Sequence, residues 1–105
     1  MPLFCTQQNR ELNVRLSGEI DHHAARRLIG ELNREIEQTF PSALTLDCSG
    51  VTFMDSSGIA LVLRTWRTMQ EAGGTMSVIG VPPQAGKVLR AAGVQKLVSI
   101  TFQTD

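Results

Sequence analysis

From Leu12 to Ser17 the chain alternates: Leu12, Val14 and Leu16 are apolar, while Asn13, Arg15 and Ser17 are polar. That period of two places the two sets on opposite sides of a half-buried strand, "ELNVRLSGEI". "LFCTQQ" before it reads as a short strand, and "NR" between them reads as a tight turn. The pair is therefore expected as an antiparallel hairpin. The period then changes. Asp21 is placed to cap a helix, in which Ala25, Leu28, Ile29, Leu32 and Ile36 recur at helical spacing. Pro41 follows its end. "ALTLDCS" alternates again, Leu44, Leu46 and Cys48 against Thr45 and Asp47. Ile59, Val62, Leu63, Trp66 and Met69 trace a second helical stripe, closed by Gly73-Gly74. "TMSVIGV" reads as a strand. Pro82-Pro83 opens a third helix at its tolerated first turn, with Val88, Leu89 and Ala92 as apolar positions and Gly93 as the stop. "LVSITF" is the last strand.

Strands that alternate with helices predict an α/β fold, a mixed but mainly parallel sheet behind the N-terminal hairpin, joined by right-handed crossovers. A sheet covered on both faces carries near-continuous apolar strands. These strands alternate, so the helices are expected mainly on one face, with the other face wet. The 105 residues, 42% of them apolar, suit one domain over residues 1–105 with a single core.

Ten Lys plus Arg balance ten Asp plus Glu. A net charge of zero argues against a nucleic acid or a membrane as partner, since both select basic surfaces. Arg26 and Arg27 leave room for one local patch. Cys5 and Cys48 form no CxxC, and with the adjacent His22 and His23 they make a poor metal set; both are expected as reduced thiols in or beside the core. No secretory leader opens the chain, and "IALVL" is too short to span a bilayer. A cytoplasmic protein is expected.

The chemistry concentrates in "VTFMDSSGIALV", residues 51–62, at a strand-to-helix junction. Asp55, Ser56 or Ser57 can cap the following helix by accepting from its unpartnered N–H groups. A cap needs one side chain, however, and three polar residues stand here. Ile59 also occupies the place where a capping box would carry Glu or Gln. Loops at the carboxyl ends of parallel strands commonly carry function, and a hydroxyl at the positive end of a helix suits a phosphate. "MDSSG" lacks the first glycine of G-x-S-x-G, and His22 and His23 begin a different helix, so a hydrolytic triad is not expected. No P-loop motif occurs. The second polar cluster is "GEIDHHAA", residues 18–25, where Asp21 is explained as a cap and the paired histidines are not.

At these two motifs the sequence resembles the STAS-domain anti-sigma factor antagonists, most closely the sporulation-type SpoIIAA family, with the stress-response antagonists nearby. "GEIDHHAA" resembles that group's G-E-[LI]-D-H-H segment. "LDCSGVTFMDSSGIALVLRTW" resembles its strand, phosphorylation loop and second helix, and "GVQKLVSI" its usual ending. The resemblance implies a switch protein with no catalytic activity and no cofactor. It implies that an anti-sigma factor, itself an ATP-dependent serine kinase, phosphorylates Ser56, the first serine after the aspartate. The unphosphorylated protein would bind the nucleotide-loaded anti-sigma factor and release a sigma factor; a PP2C-type phosphatase would restore the hydroxyl. Asp21, His22, His23, Asp55, Ser57 and Gly58 would form the partner surface, Gly58 by allowing close approach, with Arg64 and Arg67 as extensions. The alternative within the same fold is an unphosphorylated STAS scaffold in a transporter or lipid-transport complex.

Overall fold

The computed structural model describes residues 4–103. The elements are β1 (Phe4–Gln8), β2 (Glu11–Ile20), α1 (His22–Thr39), β3 (Ala43–Met54), α2 (Ser57–Glu71), β4 (Thr75–Val81), α3 (Pro83–Ala91), a 3-10 turn (Val94–Lys96) and β5 (Ser99–Phe102). Leu3, the first residue of the expected opening strand, lies outside the described residues.

The strands form one sheet in the order β1-β2-β3-β4-β5. β1 pairs antiparallel with β2, and every later pair is parallel. Each crossover therefore advances the sheet by one strand in the same direction. With a common handedness, that places every crossover helix on the same face. Leu12, Val14, Leu16, Leu44, Leu46, Met76 and Val78 point into one continuous core with the buried sides of the helices. Asn13 and Arg15 are exposed on the opposite face, and Thr45, Asp47 and Ser77 half-buried there. The α/β reading and the one-sided helix layer both hold.

The hairpin closes through Asn9 and Arg10, with φ of 54° and 65°. Two left-handed residues in succession give the turn whose twist matches paired strands. Arg10 has no glycine's freedom, and the chain holds it from outside. Its carbonyl accepts from the Ser42 N–H at 2.7 Å, and its Nη2 donates to the Phe40 carbonyl at 3.1 Å.

β3 is longer than its neighbour for a reason the alternation alone did not reveal. Arg15 pairs with Asp47 but Ser17 with Gly50, and Gly18 with Val51 but Glu19 with Phe53. Each step inserts one extra residue into β3, a bulge. The inward run Leu44, Leu46, Cys48 consequently continues at Val51 and Met54. Gly50 allows the first bulge, since a Cβ there would sit 3.0 Å from the Leu16 carbonyl oxygen.

Two helical stripes are rotated from expectation. In α2 the buried residues are Gly58, Leu61, Val62, Thr65 and Met69; Ile59, Leu63 and Trp66 are half-buried beside the core. Thr65 can lie inside because its hydroxyl donates to the Leu61 carbonyl at 2.8 Å, leaving only its methyl to pack. In α3, Ala85, Gly86 and Leu89 are buried, Val88 is half-buried and Ala92 is exposed. There Gly86 lets the Phe102 ring come close to the helix backbone.

Both cysteines are free, Cys5 half-buried and Cys48 buried. Burial, then the Glu35 and Glu31 carboxylates, push the Cys5 thiol up. Burial, with help from Asp47, pushes the Cys48 thiol from 9.0 up to about 12. In the unfolded chain Cys48 ionises first. Between the two values the unfolded state holds fewer protons, so this group's contribution is intact below 9.0 and is lost as pH rises toward about 12. The urea midpoint is expected to fall more steeply above pH 9.0 for the wild type than for Cys48→Ala. Parallel declines would mean that the thiol ionises alike in both states.

Candidate functional site

The β2–α1 and β3–α2 junctions lie side by side because β2 and β3 run parallel and end together. Ile20 pairs with Met54, and the next N–H, that of Asp55, donates to the Ile20 carbonyl at 3.2 Å. The two motifs, far apart in sequence, thus share one edge of the sheet.

On the first junction Asp21 does cap α1: its Oδ1 accepts from the Ala24 N–H at 2.9 Å. His22 and His23 are exposed in the first turn, their ring centroids 6.0 Å apart and edge-on. They serve different surfaces. His22 lines a groove of about 290 Å³ between α1 and α2, with Arg26, Ile29, Ser57, Ala60 and Arg64. His23 borders a separate, more open hollow with Glu19, Asp21 and Arg27. Arg67 lies outside the lining of both hollows. Farther along, Thr68 Oγ1 donates to Asn33 Oδ1 at 3.0 Å and ties the two helices together.

On the second junction the capping work falls to Asp55. Its Oδ1 accepts from the Ser57 N–H at 2.8 Å, and its carbonyl accepts from the Gly58 N–H at 3.0 Å. Ser56 begins the helix with φ −62° and ψ −18°, and its side chain makes no capping bond. Its hydroxyl is exposed, while Ser57 is half-buried. The three polar residues therefore divide their tasks. Asp55 builds the junction, Ser57 turns into the α1–α2 groove, and Ser56 is left free at the start of a helix.

Gly58 departs from the close-approach expectation. It is buried, and a Cβ there would meet Met54 Cγ at 2.3 Å. The space that a glycine opens is taken by this chain's own methionine.

Sequence reasoning passed over two residues beside the junction. Phe53 is 42% exposed next to it, an aromatic side chain of the kind that anchors interfaces. Gln84, from α3, grips Met54: its Oε1 accepts from the Met54 N–H at 2.8 Å, and its Nε2 donates to the Met54 carbonyl at 2.8 Å. Phe53 carried a signal in its place within "VTFMDSSG". Gln84 carried none, being 30 residues away. A hollow of about 580 Å³ lies on the open sheet face between Asn13, Arg15, Thr45 and Asp47.

The sequence pattern of the STAS domain matches residues 5–105. The chain belongs to the STAS domain family. It is 33% identical over 89 residues to the anti-sigma F factor antagonist of Paenibacillus polymyxa, covering 85% of this chain and 76% of that one. Its fold matches the anti-sigma factor antagonist SpoIIAA in its unphosphorylated form with a TM-score of 0.83 at 26% identity, over 99% of this chain and 90% of that one. The phosphorylated form of the Bacillus cell fate determinant SpoIIAA matches with a TM-score of 0.75 at 25% identity, over 99% and 93% of the two chains. This is a STAS domain of the anti-sigma factor antagonist type. Among the described residues no helix is long and apolar enough to cross a membrane.

Replacing Asp55 with Ala is expected to lower stability by about 1 kcal/mol, the usual loss of a helix cap. Ser56→Ala is expected to stay within about 0.5 kcal/mol of the wild type. Urea denaturation of the two variants checks this, and equal losses would reassign the cap to Ser56.

Proposed function

We propose that this STAS domain is a phosphorylation-switched anti-sigma factor antagonist with Ser56 as the acceptor. The observation that carries the reading is the division of labour at the β3–α2 junction. Asp55 supplies the cap, so the exposed Ser56 hydroxyl does no capping of its own. It is presented at the positive end of a 15-residue helix, where a phosphate is electrostatically welcome. That SpoIIAA, a relative of matching fold, occurs in an unphosphorylated and a phosphorylated form supports the same site chemistry.

In this reading the partner is an anti-sigma factor that is also a serine kinase and carries ATP or ADP. The unphosphorylated chain binds it and releases a sigma factor. The contact surface is built from Asp21, His22, His23, Asp55 and Ser57 around Ser56, and a PP2C-type phosphatase resets the switch. The chain itself catalyses nothing.

The physics of switching follows from charge. Phosphorylation adds about −1.5 to −2 charges to an exposed residue whose side chain makes no capping bond, so the fold survives. An interface closed over the bare hydroxyl does not. Asp55 adds a like charge next door, and a nucleotide phosphate across the interface adds another. An uncompensated charge in a contact costs about 2–5 kcal/mol, a factor of roughly 30 to several thousand in affinity. One phosphate is therefore enough to turn binding off.

Incubation with the cognate kinase and ATP, followed by mass spectrometry of peptides, is expected to place the phosphate on Ser56. Modification of Ser57 instead, or no modification, overturns the assignment. In titrations against the anti-sigma factor, Ser56→Ala should bind like the wild type and resist inactivation. Ser56→Asp should fold normally and bind at least about tenfold more weakly, a loss of about 1.4 kcal/mol.

A further inference from the structure

We propose that Gln84 is a positioning residue for the Ser56 loop, acting as a one-residue substitute for a missing strand. The clamp is geometrical and stands by itself; its consequence for phosphorylation rests on the function proposed above.

β4 accompanies β3 only from Ala43↔Thr75 to Asp47↔Ile79. β3 nevertheless runs on to Met54, still paired with β2 on its other side through Ile20. In a parallel ladder the N–H and C=O of one residue point to the same neighbour, and those of the next residue point to the opposite one. Asp55 donates toward β2, to the Ile20 carbonyl. Met54 therefore offers both of its backbone groups on the side where β4 no longer pairs. Both are taken by the Gln84 amide at 2.8 Å each. A primary amide suits this role because it presents one acceptor and adjacent donors, the same pairing that a peptide group would offer.

The clamp reaches the switch through Met54. Its side chain is fully buried and fills the space over Gly58, where even a Cβ would clash. Its carbonyl leads directly into Asp55, whose Oδ1 fixes the Ser57 N–H. Ser56 sits between two residues that are thus held, one by the end of the strand and one by the cap. Remove Gln84 and the strand end is held by β2 alone, so Met54 and the loop after it gain freedom. Reaction at a hydroxyl depends on how narrowly it is presented, since misplacement by about 1 Å can lower a rate a hundredfold.

Two variants test this: Gln84→Leu, which keeps volume and removes both bonds, and Gln84→Glu. Amide hydrogen exchange is the first measurement and needs no kinase. In Gln84→Leu the protection factors of Met54 and Ser57 are expected to drop at least about tenfold, with Leu46 in the paired part of β3 unchanged. Ionised Gln84→Glu keeps an acceptor for the Met54 N–H but sets a carboxylate oxygen against the Met54 carbonyl in place of a donor, so its protection at Met54 and Ser57 is expected between those of the wild type and Gln84→Leu. It should regain protection as pH falls through about 4.3, where the protonated acid again offers a donor to the Met54 carbonyl. Unchanged Met54 protection in Gln84→Leu overturns the clamp whatever the kinase does. The second measurement is phosphorylation of folded protein at saturating concentration: Gln84→Leu should lose about tenfold in kcat with KM little changed. A normal kcat with lost protection would leave Gln84 as a fold contact and overturn its positioning role. If the wild type is not phosphorylated at all, the function reading fails, and the positioning role is decided by whether Ser57 loses protection along with Met54.

Discussion

The parallel pairing of β2 with β3 is the constraint on which the rest depends. Its last rungs, Ile20 beside Met54 and the Asp55 N–H on the Ile20 carbonyl, bring the "DHH" and "DSSG" junctions to one edge. Shift that register and the histidines and serines separate. Both strands carry the core on one side through Leu12, Val14, Leu16, Leu44 and Leu46. Slippage by one residue would turn that whole apolar set toward water. Hydrophobic burial therefore fixes the register, and the register fixes the site.

The site illustrates how a small fold frees one side chain for use. Helix starts leave N–H groups that must be satisfied. Were Ser56 the cap, modifying it would strike at the helix. Asp55 meets the need instead, Met54 packs the turn from below, and the Ser56 side chain is left without a capping bond. Beside it, Arg26 and Arg64 line the groove between α1 and α2, so the surface around Ser56 holds cations as well as the Asp55 carboxylate. An overall net charge of zero conceals this local arrangement.

What was legible in the sequence is what is local or periodic. Asp21 could be read as a cap because the bond it makes spans three residues. The alternation in β2 predicted its buried side and, through it, the single helix layer. The phase of α2 was misjudged at Thr65, whose residue type is polar while its hydroxyl is consumed within the helix. Trp66 misled in the opposite sense, being apolar yet only half-buried at the edge of the core. Gly58 was assigned an external role because a lone glycine in a motif suggests approach from outside; the neighbour proved to be Met54. Gln84 was invisible because nothing near it in sequence marks a side chain that completes a strand 30 residues earlier.

The bulges in β3 have a consequence for how this fold tolerates change over evolutionary time. A strand of 12 residues lies against one of 10, and the surplus is gathered between Asp47 and Phe53. That segment is a reservoir of slack. A residue gained or lost there alters the size of a kink that already exists, leaving the rungs on either side in place. The same change between Leu44 and Asp47 would invert the strand. The slack lies upstream of the last rung, Ile20 beside Met54, so a length change there leaves the distance from that rung to the Ser56 hydroxyl constant.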